Sequence, residues 1–479
     1  MTNKSGYIPK ADRKNILLLC DDIRMHSGIA TMAREIVTKS AHRYNWYNLG
    51  AAIKHPEFGK VLNLSDSINK ATGIEDSQVF VQPNNGYGDV SQIRDILANR
   101  NIDAILIFTD PRYWTWLFDM EREIRSTTPM FYLNIWDDYP TPLWNRKYYA
   151  SCDLLMAISK QTKNINELSL KTTKHSPVIK YVPHGIDHNV FKPLDKTTKE
   201  YKDFRTNLFN KKDIDYVVFF NSRNINRKRP GDVILSYRIF CDLIGKEKAK
   251  KCALVLHTQP SDPNGTDLRA VKEALCDPEY VNVYFSTEKL SPEQMNLMYN
   301  IADSSMLISS NEGWGLSLTE SMMAGTMIVA NVTGGMQDQM RFVDDKGEWY
   351  TPSADIPSNH RGTYKEHGEW AKPVFPSNIS LAGSPPTPYI FDDRCDPDDV
   401  AIALKEIYEL PSQDRIERGL KGREWAMSDE AKMTAEGMVT NVMDSMDEAF
   451  DKFTPRDKFD LLKVEDLEPD YIQHKITGY

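Results

Sequence analysis

The chain has 479 residues and a net charge of −9. This length exceeds what one hydrophobic core usually organises, so two domains are expected, and the composition excludes a low-complexity chain. No apolar run has the length of a membrane span, which excludes an integral membrane segment, and the scattered cysteines lack a C-x-x-C pair, which favours a reducing cytoplasm over a disulfide or zinc framework.

Short apolar runs of strand length alternate with helical stretches through the first half of the chain. The alternation predicts a parallel sheet covered by helices on both faces. Residues 1–195 also hold slightly more basic than acidic side chains, whereas the rest of the chain is acidic. That difference fits a solvated surface, or a first half that meets an anionic partner. The runs are Ile16–Cys20, Val79–Val81, Ala104–Phe108, Met130–Ile135, Leu154–Ile158 and Val178–Val182.

A polar, lysine-rich stretch after Pro193 separates this pattern from a second one. The second set of runs is Tyr216–Phe220, Cys252–Leu256, Val281–Phe285, Met306–Ile308 and Met327–Ala330. We therefore expect two doubly wound domains, 1–195 and 196–435, with the ligand in the cleft between the carboxyl ends of their strands. The Pro-, Ser- and Gly-rich stretch at about 341–390 is typical of a lid, a binding loop or a disordered insertion. A C-terminal helix and tail are expected over 436–479.

Two loops that follow predicted strands carry candidate binding residues. After the first strand, Ser27 can cap a helix that begins near Gly28, where the backbone can approach a ligand. No G-x-G-x-x-G is present, so a dinucleotide cofactor is not indicated. After the first strand of the second half, Arg223 and Lys228 precede a helix that starts at Pro230. An arginine fork with a lysine point charge suits a diphosphate, and a solvated basic loop is the alternative.

The stretch SNEGWGLSLTESMMAGTMIVANVTGG, residues 310–335, directly follows another predicted strand. Gly313 and Gly315 let the backbone reach a ligand, and the first amides of a helix starting there point to the same place. Glu312 and Glu320 are separated by just over two helical turns, so both carboxylates can reach one cleft. Carboxylates pair well with vicinal hydroxyls. Two solvated glutamates at a helix start are the alternative.

These motifs together resemble the retaining GT-B glycosyltransferases that use nucleotide-sugar donors. The resemblance is carried by EGWGLSLTES with its E-x7-E spacing, by the Arg223 and Lys228 pair, by SGIATMAREI near the start, and by YVPHGIDHNVFKP at 181–193. It implies an α/β fold in which two doubly wound Rossmann-like domains face a central cleft. It also implies retention at the anomeric carbon and a nucleotide diphosphate sugar, expected to be UDP-linked, with no other cofactor.

The resemblance assigns roles to individual residues. Arg223 and Lys228 would hold the donor diphosphate and, with Glu312 on the sugar hydroxyls, form the catalytic set. Asp213 and Asp215 form a D-x-D pattern at the start of a strand, the wrong end for the site, so we expect no metal there. The other donor-binding residues would be Gly28, Gly313, Trp314, Gly315, Leu316 and Glu320, the last of them on the ribose hydroxyls.

The chain departs from the family after the predicted strand at 130–135. The family usually places a histidine there, which touches the C6 hydroxyl of the donor sugar, whereas this chain has Trp136. We therefore hypothesise a donor with a different C6 region, such as a pentose. In this architecture the first domain shapes the acceptor site. The acceptor-binding candidates at its strand ends are Asp110, Arg112, Trp136, Asp137 and Asp138.

Two acceptor classes fit this interpretation. A bacterial surface glycan or lipid-linked sugar is the commoner acceptor of such enzymes. Double-stranded DNA with a hydroxymethylated pyrimidine, the acceptor of bacterial-virus DNA glycosyltransferases, fits the basic first half and its tryptophans, which could stack on a flipped base. Both classes place the enzyme in the cytoplasm of a bacterial or phage-infected cell. A nucleotide-sugar epimerase of the same fold and a non-catalytic sugar-nucleotide binding protein stay open as alternatives.

Overall fold

A computed structural model describes residues 6–52, 55–173, 175–355 and 358–457. Residues 458–479 of the expected tail lie outside this range. The strands are β1 Lys14–Asp21, β2 Tyr44–Ala52, β3 Leu62–Asn63, β4 Val79–Asn85, β5 Ala104–Ile107, β6 Met130–Asn134, β7 Leu154–Ala157, β8 Val178–Tyr181, β9 Tyr216–Asn221, β10 Cys252–His257, β11 Val283–Ser286, β12 Ser304–Leu307, β13 Met327–Asn331, β14 Ala371–Val374, β15 Asn378–Ser384 and β16 Thr387–Arg394.

Helices connect most of these strands. Short 3-10 turns occur at Lys10–Asp12, Pro111–Trp114, Leu143–Asn145, Asn226–Lys228 and His360–Gly362. The α-helices are α1 Gly28–Ser40, α2 Ser65–Thr72, α3 Val90–Asn99, α4 Thr115–Phe118, α5 Glu121–Ile124, α6 Arg146–Ala150, α7 Lys160–Leu170, α8 Lys199–Leu208, α9 Pro230–Ile244, α10 Lys246–Ala249, α11 Leu268–Leu275, α12 Pro292–Ile301, α13 Leu316–Met323, α14 Met336–Met340, α15 Pro397–Tyr408, α16 Ser412–Ala426 and α17 Ala435–Lys452.

The first half forms an 8-stranded sheet in the order β3-β4-β2-β1-β5-β6-β7-β8. All neighbouring pairs are parallel except β3 with β4. Ile16–Cys20 in β1 is buried on both faces, because helices cover both faces of a parallel sheet. The order in which successive strands are added to the sheet reverses at β1, which lies between β2 and β5. A crevice therefore opens at the carboxyl end of β1.

The second half repeats this design with a 6-stranded sheet in the order β11-β10-β9-β12-β13-β14, all parallel. In this sheet the strand order reverses between β9 and β12. The residues after β9 and β12 are therefore the ones expected to meet a ligand. The loops after these two strands face the loops after β1 and β5 across one cleft.

The last described helix, α17, packs on the first half of the chain rather than the second. The Phe450 ring meets the Phe131 ring of β6 at a centroid distance of 5.1 Å. Glu436 accepts a 2.8 Å hydrogen bond from Lys39 of α1. The segment before α17 also passes so close to Gly185 that a Cβ there would overlap the Thr434 carbonyl. These contacts connect the end of the second half to the first.

The stretch at about 341–390 holds regular structure that the sequence pattern did not predict. Strand β14 extends the second sheet, and β15 and β16 form an antiparallel hairpin. The hairpin reaches the first half, where Phe391 N donates to Tyr139 O at 2.8 Å. Tyr389 Oη donates to Thr141 O at 3.3 Å, and its ring meets the Trp144 ring edge-on at 4.4 Å. Because most of its residues are at least partly exposed, the hairpin lacks the buried alternation that marks a core strand.

Candidate active site

The carboxyl ends of the two sheets enclose a cleft of about 1570 Å³. Ser27 caps α1 as predicted, with Oγ accepting a 3.0 Å hydrogen bond from Ala30 N. Gly28 then begins the helix directly opposite the second half, because a Cβ there would lie 3.3 Å from Leu316 Cδ1. The two sides of the cleft are therefore nearly in contact at this point, and a Cβ at position 28 would require the Leu316 side chain to shift.

The turn between β12 and α13 places Glu312 inside the cleft. Glu312 is buried and forms ion pairs with Lys228 and, at 3.2 Å, with Arg227 Nη1. Burial alone would raise the pKa of Glu312, but the two cations hold it at about 2. Burial lowers the pKa of Lys228, and the Glu312 carboxylate opposes that shift. Glu312 is therefore a carboxylate at neutral pH, held between two cations.

Glycines make this turn possible. Gly315 has φ +89° and directly precedes α13, a conformation that side-chain-bearing residues rarely adopt. Gly335 N donates to Glu312 O at 3.0 Å, and a Cβ on Gly335 would overlap the Gly313 carbonyl oxygen. Gly313 itself faces the first half, where a Cβ would lie 2.9 Å from Ile135 O. The turn is thus fixed by backbone packing on both sides.

The structure brings Arg227, rather than Arg223, to Glu312. The Arg223 side chain lines the outer cleft with 65% of its surface exposed, and it pairs with Asp262 at 2.8 Å. The 3-10 turn Asn226–Lys228 directs Arg227 and Lys228 toward Glu312, with 42% of the Arg227 side chain and 12% of the Lys228 side chain exposed. Arg227 Nη1 also donates to Asn311 O at 2.9 Å. Arg227 is one of three consecutive basic residues before Pro230, whereas the residues predicted from the sequence were Arg223 and Lys228.

Glu320 lies beyond Glu312 in the chain, in the middle of α13, and also lines the cleft. Its carboxylate accepts a 2.5 Å hydrogen bond from Tyr299 Oη, which in turn accepts from Asn221 Nδ2 at 2.9 Å. Burial raises the pKa of Glu320 to about 7, and the Tyr299 hydrogen bond opposes that rise. Unlike Glu312, Glu320 forms no ion pair with any cation among the described residues. The spacing of the two glutamates predicted that Glu320 reaches the cleft, but it could not identify Tyr299 as its hydrogen-bond partner.

Two more donor-side candidates form the wall beside Glu312. Trp314 is buried, and its Nε1 donates to Thr319 Oγ1 at 2.9 Å, so its ring is mainly a packing element. Leu316 is the first residue of α13 and meets Gly28 across the cleft. His184, within the quoted 181–193 motif but given no role, packs edge-on against Trp314 at 6.3 Å and lines the cleft. Burial lowers the pKa of His184 to about 3, so it is neutral.

The acceptor-side candidates lie together on the opposite wall. Asp110 caps the 3-10 turn Pro111–Trp114 and pairs with Arg112 at 2.5 Å. Arg112 also donates to Thr387 of the hairpin, and its guanidinium lies 6.0 Å from the Trp136 ring centre. Trp136 is buried, with Nε1 donating to Asp138 O at 2.8 Å. The hairpin is therefore part of the wall, and the sequence pattern gave no signal for it.

Asp137 and Asp138 face the second half of the chain from this wall. Burial raises the pKa of both carboxyls, and the Arg227 guanidinium opposes the rise in each case. The neighbouring Asp137 carboxyl raises the pKa of Asp138 further. Gln161 Nε2 donates to the Asp137 carbonyl at 2.6 Å and anchors the loop. The two acids and Arg227 line the same cleft from opposite walls.

The D-x-D pattern lies away from this site. Asp213 and Asp215 both pair with Lys251, at 3.2 and 3.3 Å, before β9 begins. Within the described ranges, no group of three or more His, Cys, Asp or Glu side chains is arranged to hold a metal ion. No helix in the same ranges is both long and apolar enough to cross a membrane.

Solved structures of similar shape share this architecture. HepE from Anabaena, solved with UDP and glucose, has a TM-score of 0.61 at 13% identity, covering 91% of this chain and 100% of that one. Sucrose-phosphate synthase from Thermosynechococcus elongatus has a TM-score of 0.59 at 15% identity, covering 92% and 100%. An E. coli trehalose-6-phosphate protein bound with UDP-2-fluoro glucose has a TM-score of 0.58 at 12% identity, covering 92% and 100%. The fold is GT-B, which confirms the predicted fold class.

A segment of the sequence also matches a known protein family. Residues 207–356, which include Arg227, Lys228, Glu312 and Glu320, match the family described as Glycosyl transferases group 1. No curated protein is similar to the chain in a whole-sequence search. The protein is a glycosyltransferase.

Proposed function

We propose that the protein transfers a sugar, with retention of configuration, from a UDP-sugar to an acceptor hydroxyl. The observation that carries this proposal is the cluster of Glu312, Lys228 and Arg227 at the start of α13, inside the cleft between the sheets. A guanidinium and an ammonium beside free helix amides suit a diphosphate. Proteins of the same fold were solved with UDP and glucose or with UDP-2-fluoro glucose, which supports a UDP-linked donor.

The proposed reaction breaks the bond from the anomeric carbon to the diphosphate oxygen and forms a bond to the acceptor oxygen on the same face. The acceptor proton leaves with the diphosphate. Lys228 and Arg227 offset the charge that develops on the leaving group, the task a metal ion performs in other transferases. Glu312 binds sugar hydroxyls, and Glu320 binds the ribose hydroxyls. The absence of a side chain at Gly28 lets the two walls approach each other closely beside the donor.

The donor sugar is proposed to lack a standard C6 hydroxymethyl group. Trp136 stands where the family usually has a histidine, and its indole is buried and held by a hydrogen bond to Asp138 O. An indole whose Nε1 already donates to the protein does not replace a histidine as a partner of a C6 hydroxyl. Turnover of UDP-glucose and UDP-xylose should be compared, and a clear preference for glucose would refute the pentose donor.

The test of the proposed function is the release of UDP that depends on an acceptor. UDP-sugars are first screened for thermal stabilisation of the full chain, and the best donor is then offered to glycans and to hydroxymethylated duplex DNA. An epimerase would alter the sugar without an acceptor, and a binding protein would leave the donor intact. The anomeric configuration of the product, read by NMR, tests retention. Lys228→Met should abolish transfer, because the leaving diphosphate loses its buried cation.

A further inference from the structure

An exposed aromatic surface continues the cleft on its acceptor side. Tyr113, in the 3-10 turn after β5, lines the cleft and is 48% exposed. Its ring stacks on Tyr87 at a centroid distance of 4.3 Å with an interplanar angle of 3°. Tyr87 in turn packs edge-on against the fully buried Trp114 at 5.5 Å. The two tyrosines, here named the tyrosine stack, thus stand on the core of the first half.

The local backbone holds the tyrosine stack in place. Tyr87 lies between Gly86 and Gly88, with φ of +74° and +84°, conformations that glycine adopts without strain. Tyr113 lies in the turn capped by Asp110, and Tyr113 N donates to Asp110 O at 3.2 Å. The stacking of the two rings and the packing of Tyr87 on Trp114 restrict the rings before a ligand covers them, which favours binding.

The groups around the tyrosine stack are acidic. The Tyr87 pKa is raised to about 12, first by burial, then by the neighbouring Tyr113 and by the Asp21 and Asp110 carboxylates. Asp21 lines the cleft and accepts from Ser27 Oγ at 2.5 Å through one oxygen. A carboxylate accepts several hydrogen bonds, so Asp21 has capacity left for a ligand hydroxyl.

The charge of this wall distinguishes the two acceptor classes. Among the described residues of the first half that line the cleft, Arg112 is the one guanidinium or ammonium group, and Asp110 already pairs with it. The carboxyl groups on the same wall are those of Asp21, Asp110, Asp137 and Asp138. A nucleic acid needs cations along its phosphates. The basic excess of residues 1–195 therefore does not lie on this wall of the cleft.

We infer that the tyrosine stack, with Asp21, is an acceptor subsite for a neutral saccharide, whose ring lies on Tyr113 while its hydroxyls donate to the carboxylate. This inference rests on the proposed function and names the acceptor of the same cleft. The apolar face of a pyranose suits an aromatic ring, and its hydroxyls suit acidic acceptors. The cleft volume exceeds the roughly 300–1,000 Å³ typical of a pocket for one small ligand, so a donor and an acceptor fit together.

The test compares Tyr113→Ala with Tyr113→Phe, which keeps the ring face, in the full chain saturated with UDP. Tyr7→Ala is the matched control, because Tyr7 is 49% exposed but bonds Asp76 at the amino end of the first sheet. Saturation-transfer NMR and titration with glucose, galactose, maltose and cellobiose measure binding. We expect at least one of these sugars to bind. Its affinity should fall about tenfold in Tyr113→Ala and persist in the other two variants, with UDP affinity unchanged throughout.

Three results would overturn the inference and leave the proposed function intact. None of the four sugars binds the wild type although UDP does, or Tyr113→Ala binds them as tightly as the wild type. The third is salt-sensitive binding of a hydroxymethylated DNA duplex that Tyr113→Ala abolishes, which would identify a nucleic-acid acceptor on the same surface. Failure of the wild type to bind UDP or any UDP-sugar would instead overturn the proposed function.

Discussion

Replacing Glu320 by glutamine should stabilise the protein at alkaline pH. Glu320 lies in the middle of α13 with Tyr299 as its described side-chain partner, and burial raises its pKa from 4.5 to about 7. Glutamine has nearly the same shape and keeps an oxygen that can accept from Tyr299 Oη. The substitution therefore removes one buried charge and little else, so its effect on stability reports the cost of ionising Glu320.

The sign and size follow from the two pKa values. Below about pH 4.5 the carboxyl is protonated in both the folded and the unfolded chain, so it contributes nothing. Between pH 4.5 and 7 the unfolded chain ionises first, and the free energy of unfolding falls as pH rises. Each pKa unit corresponds to about 1.4 kcal/mol, so the loss above pH 7 reaches about 3 kcal/mol. Glu320→Gln should be free of this loss.

The assay is urea unfolding followed by tryptophan fluorescence for both proteins at pH 4.5 and pH 8. The informative quantity is the change with pH in the difference between the two proteins, because the other titrating groups cancel. We expect equal midpoints at pH 4.5 and a higher midpoint for Glu320→Gln at pH 8. A variant that is less stable than the wild type at pH 8, or a difference that does not change with pH, would refute the reasoning. UDP should bind this variant about tenfold more weakly, since the ribose hydroxyls lose a charged acceptor.

Two further substitutions have matched controls in the chain. Arg227→Met should reduce transfer by at least about a hundredfold, because Arg227 pairs with Glu312 in the cleft. Arg223→Met should cost less than about tenfold, because Arg223 pairs with Asp262 instead of Glu312. Equal losses in steady-state assays with a UDP-sugar would contradict this assignment. Gly335→Ala should cost about 2 kcal/mol or more, because its Cβ overlaps a backbone carbonyl, and Gly231→Ala, with nothing within 4 Å, should not destabilise the fold, as urea midpoints will show.

The parallel strands were predictable where they are buried on both faces. Such strands appear in the sequence as short, continuous apolar runs, as in β1 and β9, and the residues after them then fall at the edge where ligands bind. Strand β2, Tyr44–Ala52, was missed because it contains asparagines. Asn48 is nevertheless buried, where its Nδ2 donates to Leu18 O at 3.2 Å. A polar residue that is satisfied inside the core breaks the apolar run without breaking the strand.

The candidate site was predictable to the level of loops and not of side chains. The loop after β9 was identified from its basic residues, but the choice between Arg223 and Arg227 depends on a 3-10 turn and on Arg229, which has φ +54°. No periodicity in the sequence marks such a turn. The hairpin of β15 and β16 was missed for a related reason. Its contacts, such as that of Thr387 with Arg112, join residues far apart in the chain, which local patterns cannot show.

The arrangement of charge explains how the cleft keeps its shape. Only 12% of the Lys228 side chain is exposed, and an ammonium so largely buried is costly without a partner. Glu312 therefore serves as the internal anion that holds Lys228 and Arg227 in place. Under the proposed function, an arriving diphosphate takes over those cations and frees the Glu312 carboxylate for the sugar hydroxyls. Donor binding then exchanges one set of ion pairs for another instead of creating a new one. The affinity gained from the diphosphate is therefore modest, and the acid is released where the sugar arrives.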